Sequence, residues 1–278
     1  MSKVAIVTGA NQGLGLALVR RLAGQLGPDG IVYLTARRPE RGRAAVSTLR
    51  AEGLHATAHS LDVTDDRSVL AFAEVIADRH GGVDIVVSNA AARISPDKSP
   101  AAQVRDFVNT NNHGTIRMID AFRPLLNDGA RYVIVASAFG TLEHLPPHLH
   151  DAFDPASRTL DEIAGVMDEY VRLVERGQGA DAGWPGWINI PSKVGQVAAM
   201  KIFARGLSDD ARTRDLLIDA ACPGLVDTAA SRPWFTDMSG AQTPDEAAID
   251  VAWLATLPPQ TKDPYGELVQ HRQVLPFQ

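Results

Sequence analysis

Thr8-Gly9-Ala10-Asn11-Gln12-Gly13-Leu14-Gly15 places three glycines at i, i+4 and i+6, directly after the β-branched run Lys3 to Thr8. Glycines so spaced permit positive φ, let main-chain amides approach a pyrophosphate, and pack the following helix tightly on its strand. The apolar repeat Leu14, Ala17, Leu18 and Leu22 supplies that helix, and its positive end attracts phosphate. No Lys-Ser or Lys-Thr follows the glycines, which argues against a nucleoside-triphosphate loop. A glycine turn used only for packing is the competing reading. The strand before it and the helix after it favour the phosphate cradle.

The next strand-like run, Ile31 to Thr35, ends in Ala36-Arg37-Arg38, with no carboxylate before Glu40. An acid at that place accepts the ribose hydroxyls of NAD, whereas guanidiniums pair with a 2′-phosphate. Arg37 and Arg38 thus point to NADP, the alternative being two solvated surface arginines. Ser137 lies in Ala136-Ser137-Ala138-Phe139-Gly140. It lacks the flanking glycines of a nucleophile elbow, so its expected role is a hydrogen bond to a substrate oxygen. The histidines of Glu143 to His150 sit in a Pro-Pro loop, a poor frame for a metal, and no metal is expected. One of them remains a candidate proton donor. Cys222 is the single cysteine; this excludes an internal disulfide framework and reads as a small buried hydrophobe. Phe139, Leu142, Trp184 and Trp187 either line an apolar pocket or pin the segment that carries them.

Alternating hydrophobic periods supply the elements that position these residues. Strand-like runs at 3–8, 31–35, about 56–61, 83–87 and 132–135 alternate with amphipathic helical stretches. The runs Val83 to Val87 and Tyr132 to Val135 are continuously apolar, as strands covered on both faces must be. The pattern predicts an α/β fold, a Rossmann-type doubly wound parallel sheet in three layers with right-handed crossovers. One domain over residues 1–278 is expected, with a helical insertion at about 139–187 before the active-site helix. The insertion's helix opens on the capping box Thr159 to Glu162 and repeats apolar residues from Ile163 to Val174. After Cys222-Pro223-Gly224 come loops, a helix near Pro244 to Leu257 and a last strand near Tyr265 to Val269.

Composition bounds the partners. Lys and Arg number 27 against 33 for Asp and Glu, a net charge of −6, without the basic excess of a nucleic-acid binder. The longest apolar runs are strand-sized and too short to cross a membrane. Met1-Ser2-Lys3-Val4 enters a strand at once, without signal-peptide architecture. A cytoplasmic protein acting on a small molecule is expected.

The whole chain resembles the short-chain dehydrogenases/reductases, and within them the monomeric carbonyl reductases. The resemblance rests on Thr8 to Gly15, Leu61-Asp62-Val63, Asn89-Ala90-Ala91, Thr110-Asn111, Ser137, Lys193, and Cys222-Pro223-Gly224 through Thr228. The insertion ending in Gly183-Trp184-Pro185 is also similar. It implies that Gly9, Asn11, Gln12, Gly13 and Leu14 contact phosphates and ribose. Arg37 takes the 2′-phosphate, Asp62 and Val63 the adenine, and Asn89 the nicotinamide ribose side. Lys193 holds the ribose hydroxyls, while Pro223, Gly224, Val226 and Thr228 lie along the nicotinamide, the last two at its carboxamide. Gln12 stands where NADP-preferring relatives often carry a base, which leaves more of the phosphate to Arg37 and Arg38. In the family such an insertion covers the tetramer surface, implying a monomer.

The resemblance also exposes a departure. The family's acid is a Tyr four residues before its Lys, and that register, Asn189-Ile190-Pro191-Ser192-Lys193, holds Asn189. The catalytic set is then Asn111, Ser137, Asn189 and Lys193. An amide donates a hydrogen bond but releases no proton near neutral pH. A histidine of the 144–150 stretch, Tyr170, or a water held by Asn111 and Lys193 is left to serve as acid. Three functions follow: an NADPH-dependent oxidoreductase for a carbonyl, enone or imine; a non-redox isomerase, dehydratase or cyclase; and a sensor that binds NADPH without turnover.

Overall fold

Val4, Ala5, Ile6 and Val7 are all buried, the pattern of a strand lying between two helical layers. The structure, a computed structural model, describes residues 2–278. From β1 (Val4–Val7) the chain runs through α1 (Gly13–Leu26), β2 (Ile31–Ala36), α2 (Pro39–Ala51), β3 (Thr57–Ser60), α3 (Asp66–His80) and β4 (Val83–Ser88). It continues with α4 (Val104–Val108), α5 (Gly114–Phe122), β5 (Leu126–Val135), α6 (Leu160–Glu175), α7 (Asn189–Arg205) and α8 (Ser208–Arg214). β6 (Leu217–Ala221), α9 (Pro244–Ala255), β7 (Leu268–Gln270) and β8 (Gln273–Leu275) complete it.

The eight strands form one sheet in the order β3-β2-β1-β4-β5-β6-β7-β8. All pairs are parallel except β7 with β8. This is the doubly wound Rossmann-type α/β sheet that the alternating periods predict. α1, α2 and α9 share one core with one face of the sheet, and α3, α4, α5 and α7 share the other.

Two local features differ from the sequence reading. Of the expected last strand at Tyr265 to Val269 only Leu268 and Val269 belong to β7, which is followed by the antiparallel edge strand β8. His271 and Arg272 make the turn with φ of 49° and 62°, a left-handed pair usually signalled by Asn-Gly. The stretch that carries Thr110 and Asn111 is not one continuous α-helix. A π-helical turn, Asn109–His113, separates α4 from α5, and such wide turns often carry functional residues.

The insertion is built against α7. Thr159 and Glu162 form the expected capping box, with Thr159 N donating to Glu162 Oε2 at 2.8 Å and Glu162 N to Thr159 Oγ1 at 3.3 Å. α6 then buries Ile163, Met167, Tyr170 and Val171 while packing on α4 and α7. α7 is buried almost all round, from Pro191 to Ala204 with few breaks, as a helix enclosed by sheet and neighbouring helices must be. No helix among the described residues is long and apolar enough to cross a membrane.

Asp219 on β6 is 1% exposed, and burial pushes its carboxyl up to about 8 despite Lys201 and Arg131 nearby. Its Oδ1 accepts a hydrogen bond from Glu267 N at 3.0 Å, and Glu267 and Tyr265 face it as well. A raised carboxyl favours the folded state while protonated, so its contribution is complete below the unfolded value near 4 and is lost as pH rises towards 8. Asp219→Asn keeps the acceptor and removes the titration. Urea unfolding should show the variant gaining at least about 2 kcal/mol on the wild type between pH 5 and pH 8.5. A constant difference across that range would refute the assignment.

Candidate active site

Helix α1 starts at Gly13 after Gln12, and no side chain caps it; α2, α4, α5, α7 and α8 likewise start without one, while Asp65, Thr159 and Thr243 cap α3, α6 and α9. Its first amides therefore need partners from outside the helix. They open onto a cleft of about 710 Å³ lined by Gly9, Asn11, Gln12, Gly13, Leu14 and Gly15, with Asn89 on the far wall. A Cβ on Gly15 would lie 2.6 Å from Asn89 Nδ2 and 2.7 Å from Gly9 O, so the turn closes only with glycine there. Gly13 has φ +54°, and its nearest neighbour across the cleft is Thr228 Cγ2 at 3.7 Å from a Cβ placed there. Such a Cβ would occupy the space a phosphate needs.

Arg37 and Arg38 line the same cleft, joined by Arg41. All three are exposed, and none is in a salt bridge among the described residues. Arg41, missed in the sequence, follows Arg38 at the i+3 spacing that brings side chains together on a helix. Leu61 and Val63 also line the cleft, but Asp62 does not. The Asp62 carboxylate instead accepts from Thr64 N at 3.0 Å and Thr64 Oγ1 at 2.7 Å. Asn89 ties β4 to β1: its N donates to Thr8 Oγ1 and its Nδ2 to Thr8 O, both at 2.9 Å. The uncapped amides, glycine floor and arginine trio fit a dinucleotide carrying a 2′-phosphate.

A second cavity of about 420 Å³ adjoins the cleft, and Ala92, Arg93, Thr228 and Ala230 line both. Ser137 and Asn189 are on its wall, as are Gly224 and Val226, among Phe107, Phe139, Trp187, Trp234 and Phe235. Trp187 packs edge-on to Phe139 with centroids 5.1 Å apart, and its centroid lies 6.1 Å from that of Trp234. Trp184 and Leu142 are instead buried in the core, under 10% exposed at 7% and 2%. Pro223 lines neither cavity; its carbonyl accepts from Gln242 Nε2 at 3.1 Å. Trp234 and Phe235 were missed because they belong to a loop without periodicity, where an adjacent aromatic pair is the only signal.

Lys193 and Asn111 stand behind the wall, on neither cavity's lining. Asn189 is the first residue of α7, one turn ahead of Lys193. Lys193 Nζ donates to Gln196 Oε1 at 2.8 Å and to Val135 O at 3.4 Å. Gln196 Nε2 donates to Thr115 Oγ1 at 3.1 Å, and Thr115 Oγ1 to Asn111 O at 2.6 Å. Asn111 Oδ1 accepts from Ala92 N at 2.8 Å, so two sets of hydrogen bonds, one on its main chain and one on its side chain, meet at Asn111 between Lys193 and the cavity wall at Ala92. Burial brings the Lys193 ammonium down to about 8. Gln196 and Thr115 were missed in the sequence, although each lies one helical turn from a residue already singled out.

None of the four tyrosines lines either cavity. Tyr33 OH bonds His80 Nε2 at 2.9 Å, and Tyr265 OH donates to Ala204 O at 2.6 Å. Tyr132 and Tyr170 are buried, and burial raises both phenols. Tyr170 packs on Trp184 with centroids 4.7 Å apart, away from the cleft. The histidines at 144, 148 and 150 also line neither cavity. They bond locally, to Thr141 Oγ1, Ala182 O and Leu145 O.

Residues 3–146 match the family model for short chain dehydrogenase. The chain belongs to the short-chain dehydrogenase family. It is 34% identical over 278 residues to NADPH carbonyl reductase 1 of Mus musculus, covering 99% of this chain and 98% of the relative. With the Homo sapiens protein of that name it is 34% identical over 275 residues, covering 98% and 97%. Among solved structures, salutaridine reductase from Papaver somniferum superposes with TM-score 0.81 at 23% identity, covering 96% of this chain and 99% of that one. Menthone neomenthol reductase from Mentha piperita gives 0.80 at 23% identity, covering 98% and 100%.

In this short-chain dehydrogenase, Arg37 and Arg41 are expected to recognise a 2′-phosphate through charge-assisted hydrogen bonds. Arg37→Ala with Arg41→Ala should weaken NADPH binding by about 10- to 100-fold. NADH binding should change less than about threefold, as measured by nucleotide fluorescence titration. Equal losses for both nucleotides would remove the arginines from that role.

Proposed function

We propose that the chain is an NADPH-dependent oxidoreductase for a small carbonyl, enone or imine compound, with Asn189 in place of the usual phenolic acid. The observation that carries the proposal is the continuity of two cavities. The nucleotide cleft opens into an apolar pocket that presents a hydroxyl, Ser137, and an amide, Asn189, but no tyrosine.

NADPH, when bound, supplies a hydride. Gly9, Gly13 and the first amides of α1 would hold its phosphates, and Arg37, Arg38 and Arg41 its 2′-phosphate, whereas Lys193, expected at the ribose hydroxyls, lines neither cavity and bonds Gln196 and the Val135 carbonyl instead. Ser137 donates a hydrogen bond to the substrate's oxygen, and the Asn189 amide adds a second. Neither neutralises an alkoxide near pH 7. Loss of a general acid costs about 10²–10⁴ in rate, or roughly 3–5.5 kcal/mol of barrier. Simple ketones are therefore poor substrates. An enone spreads the charge over conjugated atoms, and an iminium ion leaves no oxyanion, so both suit this site better.

The missing phenol also supports a second reading, in which the protein binds NADPH without transferring hydride. We further propose that the chain is a monomer, because α6 lies over α4 and α7 and leaves α7 no open face.

Asn189→Tyr should raise ketone-dependent NADPH oxidation by about 10-fold or more if the site is otherwise intact. Wild-type protein should oxidise NADPH with an enone or imine from a mixed panel, followed at the nicotinamide absorbance. Saturable NADPH binding with no oxidation by either protein would favour the sensor.

A further inference from the structure

The apolar cavity carries one lasting charge and no counter-charge. The ionisable groups on its wall are the Arg93 guanidinium and the Cys222 thiol, and burial raises the thiol's pKa and keeps it neutral. No aspartate or glutamate lines this cavity among the described residues.

Arg93 stands where the cavity meets the nucleotide cleft and lines both. It is exposed and pairs with no carboxylate among the described residues. Asp227, the one acid on the cleft's lining, is already gripped by Arg232 at 2.6 and 3.2 Å. The backbone next to Arg93 is held at its neighbour. Ile94 O accepts a hydrogen bond from Trp234 Nε1 at 3.3 Å, which ties the loop after β4 to the loop after β6 at the pocket rim. Recognition of a 2′-phosphate has its own cations in Arg37, Arg38 and Arg41, so Arg93 is surplus to it.

We propose that the pocket takes an aromatic or flat apolar substrate bearing a carboxylate, and that Arg93 is the residue that selects it. The proposal rests on the oxidoreductase reading above and supplies its substrate class. The planar guanidinium grips a carboxylate through two parallel hydrogen bonds. The apolar body lies among Trp187, Trp234, Phe139 and Phe235, which favour flat rings. The reacting group then faces Ser137 and Asn189. Holding the substrate at both ends fixes its orientation without help from a phenol.

The test is a titration of 2-naphthoate and 2-naphthamide into the NADP⁺-loaded protein, followed by quenching of tryptophan fluorescence. The carboxylate should bind at least about tenfold more tightly than the amide. Arg93→Ala should erase that preference, and Arg93→Lys should keep part of it. Equal binding of the two ligands by the wild type, or a preference that survives Arg93→Ala, overturns the proposal. So does an Arg93→Ala variant that loses NADPH affinity instead, because Arg93 would then be a cofactor residue. Arg93 is exposed, so its variants should fold, and matching circular dichroism and melting curves check this. Repeating the titration without nucleotide separates the two readings. A carboxylate preference in a protein that binds no nicotinamide nucleotide would sink the oxidoreductase reading and leave the role of Arg93 intact.

Discussion

The crevice exists because β1 and β4 are neighbours in the sheet while their connections leave in opposite directions along it. At such a switch point the loops beyond the strand ends part and leave a groove that no side chain has to be excavated to form. Thr8 and Asn89 hold its two banks together through main-chain and side-chain hydrogen bonds. Gly15 lets α1 close onto that staple, since any larger residue would strike Asn89 and the Gly9 carbonyl. The start of α1 and the glycine turn take their positions from this junction.

Behind the second cavity, a different problem is solved. A half-buried ammonium needs hydrogen-bond partners, and Lys193 finds two in Gln196 and the Val135 carbonyl. Gln196 is 2% exposed and Thr115 3% exposed, so their hydrogen bonds are shielded and hold the lysine in one orientation. The π-helical turn gives Asn111 its place in this chain. Its main-chain oxygen receives Thr115 while its side chain supports Ala92 at the cavity wall. A regular helix would distribute these groups differently around its axis.

Much of this was legible in the sequence, for physical reasons that differ from part to part. The strands between helical layers are continuous apolar runs, and the glycine loop must follow the first of them, so the fold and the place of the glycine turn could be read directly. Asn189 and Lys193 share one helix, so their relation is fixed by spacing alone. Asp62 reads as an adenine contact, yet its Oδ1 takes both hydrogen bonds from Thr64 within its own turn and the residue stands off the cleft's lining. Local competition of this kind leaves no trace in a motif. The β7–β8 hairpin was hidden because His271 and Arg272 adopt left-handed conformations without the usual residues. Arg93, Trp234 and Phe235 were hidden because they meet only through tertiary structure, across some 140 positions of chain in the Trp234 to Ile94 bond.

That one bond divides the molecule's capacity for change. The enclosed α7 and the strand junction tolerate little, since each touches packed atoms on every side. Among the described residues, one indole hydrogen bond joins the two rim loops, and both line the apolar cavity. Rim residues can therefore be exchanged, and the shape and charge of the apolar cavity with them, while the glycine turn and the strand junction stay as they are.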